Sequence, residues 1–141
     1  MNFNPLKPEL YVSDFKKSLD FYVNVLGFKI EYTRENPLFA FLSFEGSNIM
    51  IQQIDPKEKD EYVTGDFDYP LGRGINFQID TLNIEPLIKS LKDNNYPLRQ
   101  GVEDSWYRVR DVLRGCRQIL VQDPDGYLLR FSQGIGEKPA S

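Results

Sequence analysis

The 141-residue chain contains no histidine and a single cysteine, Cys116. Without imidazole there is no Ser/His/Asp or Cys/His nucleophile arrangement, no histidine general base and no metal site that depends on histidine. One cysteine cannot close an internal disulfide, which fits a reducing compartment. In RGCRQ, Cys116 reads either as a small half-buried strand residue or as a thiol whose pKa Arg114 and Arg117 lower. Long apolar runs are missing too. None approaches the roughly eighteen residues that a membrane-spanning helix needs, and MNFNPLKPEL lacks the basic-then-apolar layout of a signal peptide. The expected location is cytoplasmic, with no membrane partner. Charge of one sign is only slightly in excess: 17 Lys and Arg stand against 21 Asp and Glu, a net −4. That balance argues against nucleic acid and suits a cationic ligand better.

What is present belongs to a globular protein. The chain is 40% hydrophobic, 27% charged and 13% aromatic, and its length suits one domain over residues 1–141. PELYVSD reads as a strand running into a Ser-Asp helix start. DFKKSLDFYVNVLGF then places Phe15, Leu19, Tyr22 and Leu26 on one helical stripe that Gly27 ends. FKIEYTRE, FAFLSFEG and SNIMIQQID are three strand-like runs. From Asp55 to Arg73 the chain turns polar without either period, a linker or an ordered loop. GINFQID is another strand, and NIEPLIKSLKDNNYP another helix, with Ile84, Leu87, Ile88 and Leu91 at helical spacing and Pro86 in its first turn. PLRQGVED, SWYRVRDV, CRQILVQD and YLLRFSQ follow, the last two joined by DPDG.

The second half thus repeats the order of the first. The fold class is α+β: two βαβββ modules, residues 5–55 and 74–134 around a linker at 56–73, pairing into a curved mixed sheet with a shared groove. Strand alternation puts Leu129 and Phe131 on one face and Leu128, Arg130 and Ser132 on the other. Arg130 and Gln52 take matching places in the two halves and enter the groove. By the same parity Phe39, Phe41 and Met50 join Gln52 as an aromatic floor with a polar group, a usual small-molecule site.

Trp106 and Tyr107, in EDSWYRVRD between a polar stretch and a strand, either close over a flat ligand or cap the core. In the linker, Tyr62, Phe67 and Tyr69 stand among Asp60, Glu61, Asp66 and Asp68, either a surface that attracts a cation or a solvated loop with anchoring rings. The arginines of RVRDVLRGCR suit cross-sheet pairing with Asp and Glu, or a bound phosphate or carboxylate.

LYVSDFKKSLDFYVNVLGFKI near the start and VQDPDGYLLRFSQ near the end, joined by the duplicated βαβββ order, resemble the vicinal oxygen chelate superfamily over Pro8 to Gln133. Glyoxalase I, extradiol dioxygenases, fosfomycin-modifying enzymes and bleomycin resistance proteins belong to it. The resemblance implies that metal-using members carry His and Glu ligands at positions that fall here on Lys7, Gln52, Gly74 and Arg130, with Glu9 close to the first. That set makes no transition-metal site.

The chain therefore looks most like the bleomycin resistance proteins, which keep the fold without the metal. The resemblance implies a homodimer that sequesters a bleomycin-like drug or another flat metabolite in grooves at the subunit boundary, with an N-terminal arm that subunits can exchange. On this reading Phe39, Phe41, Met50, Gln52, Tyr69, Trp106, Tyr107 and Arg130 bind ligand. No residue is catalytic, no metal or other cofactor is needed, and no nucleic acid is bound. The competing reading is a lyase, isomerase or thiol transferase of the same superfamily. Positive charge at Lys7, Arg108 and Arg130 makes an anionic metabolite the competing ligand.

Overall fold

A computed structural model describes residues 3–57 and 61–141. They divide into two compact units, Met1–Arg73 with Asp123–Tyr127, and Gly74–Gln122 with Leu128–Ser141. Each unit is built on one four-stranded mixed sheet, so the class is α+β and the module order is βαβββ.

In the first unit, β1 (Glu9–Val12) leads into α1 (Phe15–Asp20), and β2 (Lys29–Arg34), β3 (Phe39–Phe44) and β4 (Ser47–Gln53) complete a sheet in the order β1-β4-β3-β2. β1 runs parallel to β4, while the other pairs are antiparallel. The Asp14 carboxylate caps α1 by accepting the Lys17 N–H at 3.2 Å, one of the donors that every helix start leaves without an internal partner. After Asp20 the helix widens into a single π turn, Phe21–Val25. Leu26 N–H then reaches back five residues to the Phe21 carbonyl at 3.0 Å. The turn alters the expected stripe. Phe15, Tyr22 and Leu26 are buried, but Phe21 and Val25 join them and Leu19 is half-buried. Gly27 follows at φ +89, a conformation that costs other residues free energy. The face of the sheet toward α1 is formed by Leu10, Val12, Ala40, Leu42, Ile49 and Ile51, all buried.

The second unit repeats the plan with β5 (Asn76–Asp80), α2 (Glu85–Asp93), β6 (Gln100–Val109), β7 (Val112–Gln122) and β8 (Leu128–Pro139), in the order β5-β8-β7-β6. Pro86 lies in the first turn of α2, where its missing N–H costs nothing, and Leu87 and Leu91 are buried as the spacing predicts. Ile79, Ile119, Val121, Leu129 and Phe131 form the buried face.

Two expectations change here. PLRQGVED and SWYRVRDV are not separate runs: most of both belongs to β6, so Trp106 and Tyr107 sit inside a strand. Gln100 to Glu103 contain a register shift that carries the chain through polar sequence without ending the ladder. Second, Lys7 and Gly74 precede β1 and β5 instead of lying in them. No helix among the described residues is long and apolar enough to cross a membrane.

Candidate functional site

The face of the first sheet turned away from α1 is set by register. Glu9, Met50, Phe41 and Tyr32 form one row across four strands, and Tyr11, Gln52, Phe39 and Arg34 form the next. Phe39, Phe41, Met50 and Gln52 therefore share the face opposite α1, on which Phe39 and Phe41 are buried. Rings dominate it. Tyr32 stacks on Phe41 at 5.1 Å between centroids, Phe3 of the N-terminal arm reaches Phe41 at 4.5 Å, and the Arg34 guanidinium lies 4.2 Å over the Phe39 ring.

At the end of β4 this face opens into a cavity of about 580 Å³. Tyr11 and Gln52 enter from the sheet, Ile54 from the end of β4, and Val63 and Phe67 from the following loop, with the Tyr11 and Phe67 rings 5.9 Å apart. Asp55, Glu61 and Asp66 supply three carboxylates, and no described lining residue is Lys or Arg. The wall is held by Gln53, whose Oε1 accepts the Phe15 N–H at 2.8 Å while its Nε2 donates to the Ser13 and Ile54 carbonyls at 2.9 and 3.2 Å. Apolar walls, two glutamine amides and negative charge suit a flat organic cation.

Of the expected acidic linker set, Phe67, Glu61 and Asp66 line this cavity. Asp60 lies outside the described residues. Tyr69 is 67% exposed and has its ring beside Gly126, away from the cavity lining. Tyr11, Ile54, Asp55 and Val63 are additions. Tyr11 had a signal in the sequence, because alternation with Leu10 and Val12 turns it to the open face. The others depend on how an aperiodic loop folds back.

In the second unit Arg130 stands on the open face, in a row with Gln78 and Leu120, and Gln100 follows on β6. Tyr107 shares this face and donates from its hydroxyl to Gln118 Oε1 at 3.2 Å. Trp106, its neighbour in β6, points to the other side, packed against Gly115 with the Lys138 ammonium 4.0 Å from its ring. The two rings cannot close on one ligand face of this sheet. Arg117 pairs with Asp104 through two bonds of 2.8 and 3.0 Å, and Arg114 with Glu137 at 3.0 Å. The Arg117 hydrogen bonds hold the Asp104 carboxyl below the usual carboxylate range.

The DPDG turn carries two buried carboxylates, 2% and 6% exposed, that look like an acid–base pair. Both are consumed by the fold. Asp123 accepts the Tyr22 hydroxyl at 2.7 Å and the Asp125 and Tyr127 N–H groups at 3.0 and 2.9 Å. Asp125 accepts the Ser13 N–H and hydroxyl at 3.0 and 2.5 Å. Burial pushes the Asp123 carboxyl up to about 6 against these bonds. Neither acid lines the cavity.

The duplication shows most sharply in two glutamines. Gln53 of β4 accepts the Phe15 N–H at the start of α1, and Gln133 of β8 accepts the Ile84 N–H at the start of α2, each at 2.8 Å. The ligand positions that the superfamily resemblance implies fall on Lys7, Gln52, Gly74 and Arg130, a lysine, an amide, a glycine and a guanidinium. Such a set does not fit a divalent metal, which takes carboxylate, imidazole or thiolate donors. Among the described residues no group of three or more His, Cys, Asp or Glu is placed to hold an ion.

Comparison with known proteins agrees with the architecture. The family model described as the glyoxalase/bleomycin resistance protein/dioxygenase superfamily matches residues 4–131. A superfamily member of solved structure from Vibrio splendidus 12B01 is 34% identical, over 91% of this chain and 96% of that one, with a TM-score of 0.41. TioX from Micromonospora sp. ML1 is 19% identical at a TM-score of 0.70, covering 92% and 98% of the two chains. The fosfomycin resistance protein FosX from Listeria monocytogenes is 20% identical at 0.58, covering 96% and 94%. Comparison with curated proteins gave no match. With the duplicated βαβββ sheets in place and a family match running through both of them, the chain belongs to the glyoxalase/bleomycin resistance protein/dioxygenase superfamily.

Proposed function

We propose that the protein captures a small, flat organic cation in the cavity of the first unit and holds it without chemical change, in the manner of bleomycin resistance proteins. The carrying observation is the lining: Tyr11 and Phe67 rings, the Gln52 amide and the carboxylates of Asp55, Glu61 and Asp66, with no Lys or Arg among the described lining residues. Superfamily members bind small molecules and typically form dimers. The protein acts in this role as a homodimer, with protection against a toxic compound as its cellular purpose. Donor sets unsuited to a metal favour capture over turnover.

Calorimetric titration with bleomycin and with ethidium, a flat fluorescent cation, tests the proposal. One site per chain with micromolar affinity is expected, and mass spectrometry should return the ligand unchanged. Glu61→Gln and Asp66→Asn should each weaken ethidium about two- to five-fold, the weight of an exposed ion pair of about 0.5–1 kcal/mol. Absence of saturable binding at about a hundred-fold higher concentration, or recovery of a modified ligand, would overturn it.

A further inference from the structure

The face of the second sheet turned away from α2 carries an arginine, Arg130, one of whose N–H groups has no partner among the described residues. Arg130 Nε is buried and makes no hydrogen bond to any described residue. The acids nearest in the ladder are already engaged: Asp80 Oδ1 accepts Gln78 Nε2 at 3.0 Å, and Glu103 Oε2 accepts Gln100 Nε2 at 2.7 Å. Gln118, Ser132 and Tyr107 bond among themselves along the next row. These neighbouring polar side chains are thus turned to one another, whereas Arg130 Nε has no partner among the described residues. Arg130 as a residue is half-buried, but a buried Nε–H without an acceptor is costly, and the forked N–H edge to which it belongs matches the two oxygens of a carboxylate or phosphoryl group. Leu120 beside it in the row and Leu128 two residues back on β8 give an apolar surround for the body of such a ligand.

We propose that Arg130 anchors an oxyanion site on this face, taking the carboxylate or phosphoryl oxygens of a small organic anion through Nε and one Nη. The site stands on the second unit alone and does not depend on the cation reading of the first unit's cavity.

The test is an NMR titration of the ¹⁵N-labelled full chain, following arginine Nε–H resonances as sodium benzoate or inorganic phosphate is added at constant ionic strength. One Nε–H resonance, missing from Arg130→Lys and Arg130→Gln, should move along a single-site isotherm. A response to benzoate marks a carboxylate ligand, and a response to phosphate marks a phosphoryl one. Arg130→Lys keeps the charge but not the fork and should lose affinity at least ten-fold. Arg114→Gln, at an exposed paired arginine, should leave the isotherm unchanged. The proposal fails if no resonance moves with either anion, if several arginine resonances drift together without saturating, or if Arg130→Gln still raises its melting temperature with the anion as the parent chain does. Should a variant not fold, sequential resonance assignment of the Arg130 Nε–H in the parent chain identifies the signal, and its titration decides the point.

Discussion

At the scale of single residues, the informative groups are those that look chemical and are structural. Asp123 is the clearest. Burial raises its pKa from 3.8 to about 6, chiefly by desolvation, even though Tyr22 and two N–H groups stabilise the charged form. A folded-state pKa above the unfolded value means that the fold favours the protonated acid. Its contribution is fully present below about pH 4 and is lost as pH rises through about 6, a change on the order of 3 kcal/mol. Asp123→Asn keeps the shape and removes the titration. The difference in melting temperature between the variant and the parent chain should therefore move in the variant's favour from pH 4 to 7. Parallel melting curves across that window would rule the account out. Gly126, two residues into the same turn from Pro124, has φ +93, and a Cβ there would lie 2.5 Å from Pro70 Cβ and 2.7 Å from Pro70 Cα. Gly126→Ala should cost about 2–4 kcal/mol in urea denaturation, because both the conformation and the backbone contact oppose it.

At the scale of elements, the glutamine clamps set the junction between strand and helix in each unit. Gln53 satisfies one N–H and two carbonyls, whereas Gln133 satisfies the Ile84 N–H. With roughly 1 kcal/mol for each bond, Gln53→Ala should lose about 2–3 kcal/mol and Gln133→Ala about 1 kcal/mol, read as shifts in the urea midpoint. Equal losses would contradict this ranking. Both helices, most of the strand runs and the open-face parity of Phe39, Phe41, Met50 and Gln52 were legible in the sequence, because periods of 2 and 3.6 report directly which side of an element meets the core. The π turn was not, since one extra residue in a turn leaves no mark on composition. Trp106 and Tyr107 were read as a pair because a polar stretch hid β6, and strand alternation then separated them. The cavity wall at Asp55, Val63 and Phe67 comes from an aperiodic loop, whose path only tertiary contacts fix.

At the scale of the whole molecule, sequence order and structural units do not coincide. The turn Asp123–Tyr127 belongs to the first unit although β7 and β8 on either side belong to the second. Within the first unit it supplies the acceptor for the Tyr22 hydroxyl, which is fully buried, and the acceptors for Ser13, and Tyr127 donates from its hydroxyl to the Tyr11 carbonyl at 2.8 Å. A fragment comprising residues 1–73 has every strand and the helix of the first module but lacks this turn. It would take away the carboxylate that the buried Tyr22 hydroxyl donates to and expose the surface on which Tyr127 packs, each at a cost of about 1–3 kcal/mol against a typical total stability of only about 5–15. Expressed alone, residues 1–73 should therefore show poor amide dispersion and no cooperative thermal transition, while the full chain melts in one step by circular dichroism. Adding a peptide of the turn should not rescue the fragment, because β7 and β8 hold the turn's two ends and a free peptide would have to be ordered from the unfolded state. A folded, cooperatively melting 1–73 fragment would show instead that the first module is self-sufficient and that the turn is only an ornament on it.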